Sequence, residues 1–195
     1  MNTLDTQFGH PSGFIGWLVG QAMAIEHREL TQWATGLLEL RPDDQVLEVG
    51  FGPGTAILRM SQVVTQGLVA GVDLSEIMVK QARGRNAAAI RARRVELRQG
   101  SSVALPYEAE SFDKALVINS LDHWSSPSAG LKELCRVLKP GGLVAIVERP
   151  HEAKTDEAVQ QAGQQTMRLL QAAGFGDVKT VLGLKGTTVG MLGTK

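Results

Sequence analysis

The chain has 195 residues, 43% of them hydrophobic, enough for one sizeable core, so a single core domain is expected. Its 20 Lys and Arg balance its 20 Asp and Glu, which excludes a global field drawing it to nucleic acid. The single cysteine, Cys135, excludes an internal disulfide and suits a reducing compartment, and no cysteine or histidine cluster has metal-ligand spacing.

In chain order, residues 1–12 read as a start rich in turn formers, and Phe14 to Leu40 as one or two helices. Leu30, Trp33, Ala34, Leu37 and Leu38 fall on one helical face. No Lys or Arg precedes Arg28, against a signal peptide. The uncharged stretch 11–25 is too short to span a bilayer. A cytoplasmic protein without stable membrane insertion is therefore expected. Arg41-Pro42-Asp43-Asp44 marks the turn into the first strand, which divides the chain into a helical extension over 1–42 and a main domain over 43–195. Strand and helix then alternate: strand 45–49, helix 55–64, strand 68–72, helix 75–91, strand 94–98, a loop to 111, strand 113–119, helix 127–138, strand 143–149 and helix 155–174. Such alternation predicts a parallel sheet with helices on both faces. Strands near 177–183 and 186–194, joined by a Gly-containing turn, predict a closing hairpin and an antiparallel last strand.

The first strand ends in Val-Leu-Glu-Val-Gly-Phe-Gly-Pro-Gly, residues 46–54. Gly50, Gly52 and Gly54 permit a sharp turn and close approach of a ligand to the backbone, and the following helix points its free N–H groups at the loop. Asp73, at the end of the second strand, is placed to reach the hydroxyls of a ribose. A dinucleotide site wants Gly-x-Gly-x-x-Gly. Here the third glycine comes one residue early and Thr55 takes its place. Nothing basic lies in the loop, and Glu48 inside the strand suits a ligand bearing a cation.

This run resembles the nucleotide-binding motif of class I S-adenosylmethionine-dependent methyltransferases. Gly-Ser-Ser-Val-Ala-Leu-Pro-Tyr at 100–107 looks like that family's adenine loop, and Leu-Lys-Glu-Leu-Cys-Arg-Val-Leu-Lys-Pro-Gly-Gly at 131–142 like the segment before its fifth strand. Order and spacing are similar to the small-molecule branch around ubiquinone and menaquinone biosynthesis, from residue 43 to the C-terminus. The resemblance implies a Rossmann-like, doubly wound α/β fold of seven strands, with the antiparallel last strand inserted between the fifth and sixth. It implies S-adenosyl-L-methionine as cofactor and S-adenosyl-L-homocysteine as product. Glu48 is then expected to orient the loop or the methionine amine, Leu74 and Met78 to flank the adenine, and Ser101, where the family has Asp, to accept from the adenine amino group with Ser102 as substitute. Asn119 and Ser120 end the fourth strand, where open parallel sheets bind ligands.

On the acceptor side, Asp122, His123 and Trp124 stand where the family has His-His-aromatic. His123 is the candidate general base for a hydroxyl or acidic-carbon acceptor; Glu148 and His151 are further candidates. The partner expected is a small-molecule acceptor, with a homo-oligomer open. The run Lys80, Arg83, Arg85, Arg91, Arg93, Arg94 and Arg98 reads as a solvated face. A nucleic-acid groove would want aromatics to stack bases, and residues 52–106 contain none. The segment after the fifth strand is short, so the apolar run Phe14 to Met23 is a candidate lid, with flank packing and an interfacial helix as alternatives. Two other functions remain open: a nicotinamide-dependent oxidoreductase, and a nucleoside-binding regulatory protein without an acceptor site.

Overall fold

The protein is described from a computed structural model covering residues 28–149, 156–183 and 188–195. The expectations for Phe14 to Met23, His151 and the tip of the hairpin turn lie outside those residues. The elements are α1 (Arg28–Gly36), β1 (Gln45–Val49), α2 (Thr55–Val63), β2 (Leu68–Asp73), α3 (Glu76–Arg85), α4 (Ala87–Arg91), β3 (Val95–Gln99) and β4 (Phe112–Ile118). A short 3-10 turn (Leu121–His123) leads to α5 (Pro127–Val137), β5 (Leu138–Glu148), α6 (Asp156–Ala173), β6 (Gly176–Leu182) and β7 (Val189–Thr194).

The seven strands form one sheet in the order β3-β2-β1-β4-β5-β7-β6. β1, β2, β3, β4 and β5 pair in parallel, and β7 runs antiparallel to both β5 and β6. The expected seven-stranded, doubly wound fold with β7 between the fifth and sixth strands is what the chain adopts. Strand alternation sorts the side chains into two cores. Leu47, Val49, Val72, Val117 and Ile146 face α5 and α6. Val46, Val69, Leu116 and Val147 face α1, α2 and α3. Glu48 shares the second face with Val46, because residues two apart in a strand point the same way.

Two local outcomes differ from the sequence expectation. The helix expected over 75–91 is two helices broken at Asn86, which is buried (1% exposed) and caps both. Its Nδ2 donates to Ala82 O (2.9 Å) and Gly54 O (3.1 Å), so a side chain competes locally with the helical ladder. Next, β5 starts at Leu138 instead of 143: Phe112 pairs with Leu138, and the register shifts across the Pro-Gly-Gly bulge before Lys114 meets Leu143. Gly141 takes φ +76 there, and its N–H donates to Lys195 O (2.8 Å), so the last residue of the chain fills the bulge. The apolar face of α1 read from sequence packs into the sheet's own core. Leu30, Ala34 and Leu38 are buried with Val46, Ile57 and Met60, and Lys114 Nζ donates to the carbonyls of Leu38 (2.7 Å) and Glu39 (2.6 Å). Among the described residues no helix is long and apolar enough to cross a membrane.

Candidate functional site

β1 lies between β2 and β4, and the chain leaves it in one direction and returns on the other side. The crevice at the carboxyl ends of such strands is where open parallel sheets bind ligands. A cavity of about 310 Å³ opens there. Its wall includes Glu48, Gly50, Gly52, Asp73, Leu74, Met78, Ser101, Ser102, Asn119 and His123. Ten residues singled out from sequence thus come together in one place.

The loop after β1 is held from three sides. Gly50 takes φ +78 and its N–H donates to Val72 O (2.8 Å); a Cβ there would collide with the Ser120 side chain. Gly52 takes φ +52 and its N–H donates to Asp73 Oδ2 (2.8 Å), while the space its Cβ would fill is open. Gly54 does not line the cavity. A Cβ at Gly54 would stand 2.6 Å from Ala82 Cβ, so this glycine serves the close packing of α2 on α3. From α3 and its cap, Arg85 donates to Pro53 O and Asn86 to Gly54 O.

Asp73 joins the loop to the next element. Besides Gly52, its carboxylate accepts from Ser75 N–H through Oδ1 (2.8 Å), and Ser75 caps α3. Glu48 is 2% exposed, and its Oε2 has no hydrogen-bond partner. Burial first, and then the Asp73 carboxylate, hold its carboxyl well above the ordinary carboxylate range; a hydrogen bond from the Ile57 backbone offsets part of this. An orphaned acid atom buried at a cavity wall is costly unless a donor comes to it, and a ligand carrying an ammonium supplies both donors and charge. The open space at Gly52 admits a ligand close to the backbone. Among the described residues no group of His, Cys, Asp and Glu could hold a metal ion.

Elsewhere in the wall, Leu74 is 55% exposed, an apolar side chain left for a ligand to cover, while Met78 is buried at 3%. Ser101 Oγ accepts from Val103 N–H (3.4 Å), a local turn that leaves a lone pair for another donor. Asn119 takes φ +46, and its Oδ1 accepts from Arg149 N–H (2.8 Å), tying the end of β4 to β5. His123 is exposed on the 3-10 turn at the rim. Glu148 lies at the end of β5, where it accepts from Thr166 Oγ1 (3.0 Å). Burial pushes its carboxyl up to about 7, against the Thr166 hydrogen bond and with help from the Asp122 charge. It is not part of the cavity wall.

Trp124, named from sequence beside His123 on the acceptor side, also lines the wall; Thr31 lines it too and was not picked out from sequence. Thr31 is a polar residue on the buried face of α1, 6% exposed; a hydroxyl interrupting an apolar stripe was the available signal. The basic run is also more than a solvated face. Arg83 donates to Leu97 O (3.0 Å), Arg94 to Ser61 O (2.6 Å) and Arg98 to Pro106 O (2.6 Å), and the Arg98 guanidinium lies 4.7 Å from the Tyr107 ring centroid. These arginines fasten α3 and β3 to neighbouring carbonyls.

Residues 46–142 match the family described as methyltransferase domain. The chain is 36% identical over 162 residues to the uncharacterized methyltransferase YdaC of Bacillus subtilis (strain 168), covering 83% of this chain and 87% of that protein. It is 33% identical over 116 residues to a demethylmenaquinone methyltransferase of Desulfitobacterium hafniense (strain Y51), covering 59% of this chain and 46% of that protein. The chain spans about half the length of the demethylmenaquinone methyltransferases it matches. A solved SAM-dependent methyltransferase from Aquifex aeolicus has the same fold, with a TM-score of 0.71 over 84% of this chain and 88% of that one, at 24% identity.

Proposed function

The chain belongs to the S-adenosylmethionine-dependent methyltransferases, and on that footing we propose that its cavity seats the cofactor along the residues just described, with a small-molecule acceptor at the rim. The methionine ammonium lies at Glu48, the ribose at Asp73, and the adenine between Leu74 and Met78 on one side and the Ser101–Ser102 loop on the other. The observation that carries this reading is the unpartnered, buried Oε2 of Glu48 beside a glycine loop that leaves room at Gly52.

The bound cofactor supplies a methyl group on a sulfonium, already activated for displacement. What remains for the chain is alignment and the exclusion of water. Gly50 and Gly52 allow close approach, and Asp73, fixed through Gly52 and Ser75, presents a preset carboxylate edge. His123 at the rim is the group able to take a proton from a hydroxyl or acidic-carbon acceptor. A thiolate, amine or phenolate acceptor needs no base. Thr31 brings α1 to the cavity wall, which supports a part for the N-terminal helix in shaping the acceptor side.

A thermal-shift comparison tests the reading, because a ligand selective for the folded state raises its stability. S-Adenosylhomocysteine is expected to raise Tm and NAD to leave it unchanged, since the loop after β1 carries no basic residue for a pyrophosphate. Stabilisation by NAD alone would overturn the cofactor assignment.

A further inference from the structure

Beyond β4, the strand ends carry a cation that no acceptor meets. Arg149 follows Glu148 at the end of β5. Alternate residues of a strand point to opposite faces, so Arg149 continues the row of Ala145 and Val147, on the face packed by α1. Glu148 points the other way and accepts from Thr166 on α6. Among the described residues Arg149 forms no ion pair, and its buried Nε donates to nothing. In the β5–β7 pairing Val147 stands opposite Gly190 and Glu148 opposite Val189, which sets Thr188 opposite Arg149. Thr188 is fully buried, and its Oγ1 has no hydrogen-bond partner either. A buried polar atom left unpaired is costly, and more so on a charged group. Two such atoms on facing strand ends mark a corner that the described side chains do not satisfy.

The corner adjoins the cavity. Arg149 N–H donates to Asn119 Oδ1 (2.8 Å), and Asn119 lines the cavity with Ile118, which pairs with Val147. The wall also takes Thr31 from α1, the helix on the Arg149 face. It holds the acids Glu48 and Asp73 but no Lys or Arg, so an acidic molecule entering here finds its counter-charge only at the β5 corner. The proposed cofactor lies across β2, β1 and β4 with its ammonium at Glu48. β5 is two strands from β1, about 10 Å at the ordinary strand spacing, on the side left to the acceptor.

We propose that Arg149 anchors the acceptor by an oxyanion, so that the methylated substrate is a small molecule bearing a carboxylate or phosphate. A guanidinium presents a planar fork of donors that matches the oxygens of either group. This rests on the reading that the cavity binds the adenosyl cofactor with its methionine end at Glu48. Arg149 is then a specificity-determining residue and takes no part in the displacement itself.

The test is a ligand-observed NMR titration of the full chain saturated with S-adenosylhomocysteine, with benzoate, phenyl phosphate and benzamide as probes. At least one of the two anions is expected to bind about tenfold more tightly than the neutral amide, and the tighter of them identifies the acid carried. In Arg149→Met that preference should vanish, with S-adenosylhomocysteine affinity retained, and Arg149→Lys should restore part of it. A merely structural arginine would not separate anion from amide. If Arg149→Met does not fold, Arg149→Gln carries the test with a polar side chain. Equal binding of all three probes, no binding of either anion, or a preference that survives in the folded variant would overturn the inference and leave the cofactor reading standing. A tenfold loss of S-adenosylhomocysteine affinity in the variant would also overturn it, by giving the guanidinium to the cofactor's own carboxylate. Failure of the wild type to bind S-adenosylhomocysteine would overturn both.

Discussion

Glu48 is the residue on which the chemistry of the site turns. Its carboxyl is held above the ordinary value by burial and then by Asp73, so the folded protein binds a proton there more tightly than the unfolded chain does. A group raised in this way favours folding most below its unfolded value, near 4.5, and that advantage is lost as pH rises toward the folded value. Ligand binding runs the other way. An ammonium needs the carboxylate, so it expels the proton, and affinity should climb with pH across the same window by up to about tenfold per unit. S-Adenosylhomocysteine is therefore expected to bind with proton release in that window, seen as a binding enthalpy that changes with the ionisation enthalpy of the buffer. 5′-Methylthioadenosine, which lacks the amine, should show none, and Glu48→Gln should remove the effect for S-adenosylhomocysteine. Proton release that survives in Glu48→Gln would mean the ammonium is held elsewhere. The presence of an acid at 48 was legible from the strand pattern and the glycines that follow. Its orphaned Oε2 was not, because whether a partner reaches an atom depends on how α1, α2 and Asp73 pack around it in three dimensions.

At the scale of elements, the cavity is shaped by how firmly α3 grips the loop after β1. Asn86 joins the two, bonding Gly54 O and Ala82 O while breaking the helix. Asn86→Ala removes two side-chain hydrogen bonds and leaves Gly54 O with the Leu58 N–H alone, a loss of about 1–3 kcal/mol for the pair. Denaturant unfolding should show that loss, and S-adenosylhomocysteine should bind more weakly because the loop is no longer anchored. Unchanged stability would mean that Arg85 and the bonds to Val72 and Asp73 hold the loop without Asn86. The continuous helix expected over 75–91 follows from a run of good helix formers, and propensity gives no weight to one asparagine that finds a tertiary partner. The early start of β5 escaped for a similar reason. Pro140, Gly141 and Gly142 read as a turn, and the bulge they form is completed by Lys195 at the far end of the sequence. Gly54 shows the same limit in another form: its spacing marks a ligand loop, yet its neighbours are Ala82 and Asn86.

Across the whole molecule, the alternation of short apolar strands with amphipathic helices carries most of the architecture, because a parallel sheet must be buried on both faces and its strands read as apolar runs. The strand order comes less directly. The hairpin requires β7 to run antiparallel, but its place between β5 and β6 was inferred from a family resemblance and is now seen in the pairing of Ile146 with Met191 and of Thr180 with Met191. Fold alone does not establish chemistry; the acceptor side depends on His123, Thr31 and the 3-10 turn, where composition carries little signal. The central claim is one of placement: a cofactor lying across β1, β2 and β4 with its charged end at Glu48. Its most direct measurement is a crystal structure of the protein with S-adenosylhomocysteine. The account predicts the amine within hydrogen-bond distance of Glu48, the ribose hydroxyls on Asp73 and the adenine beyond Leu74. A nucleoside bound in the reverse direction, or outside this crevice, would contradict it.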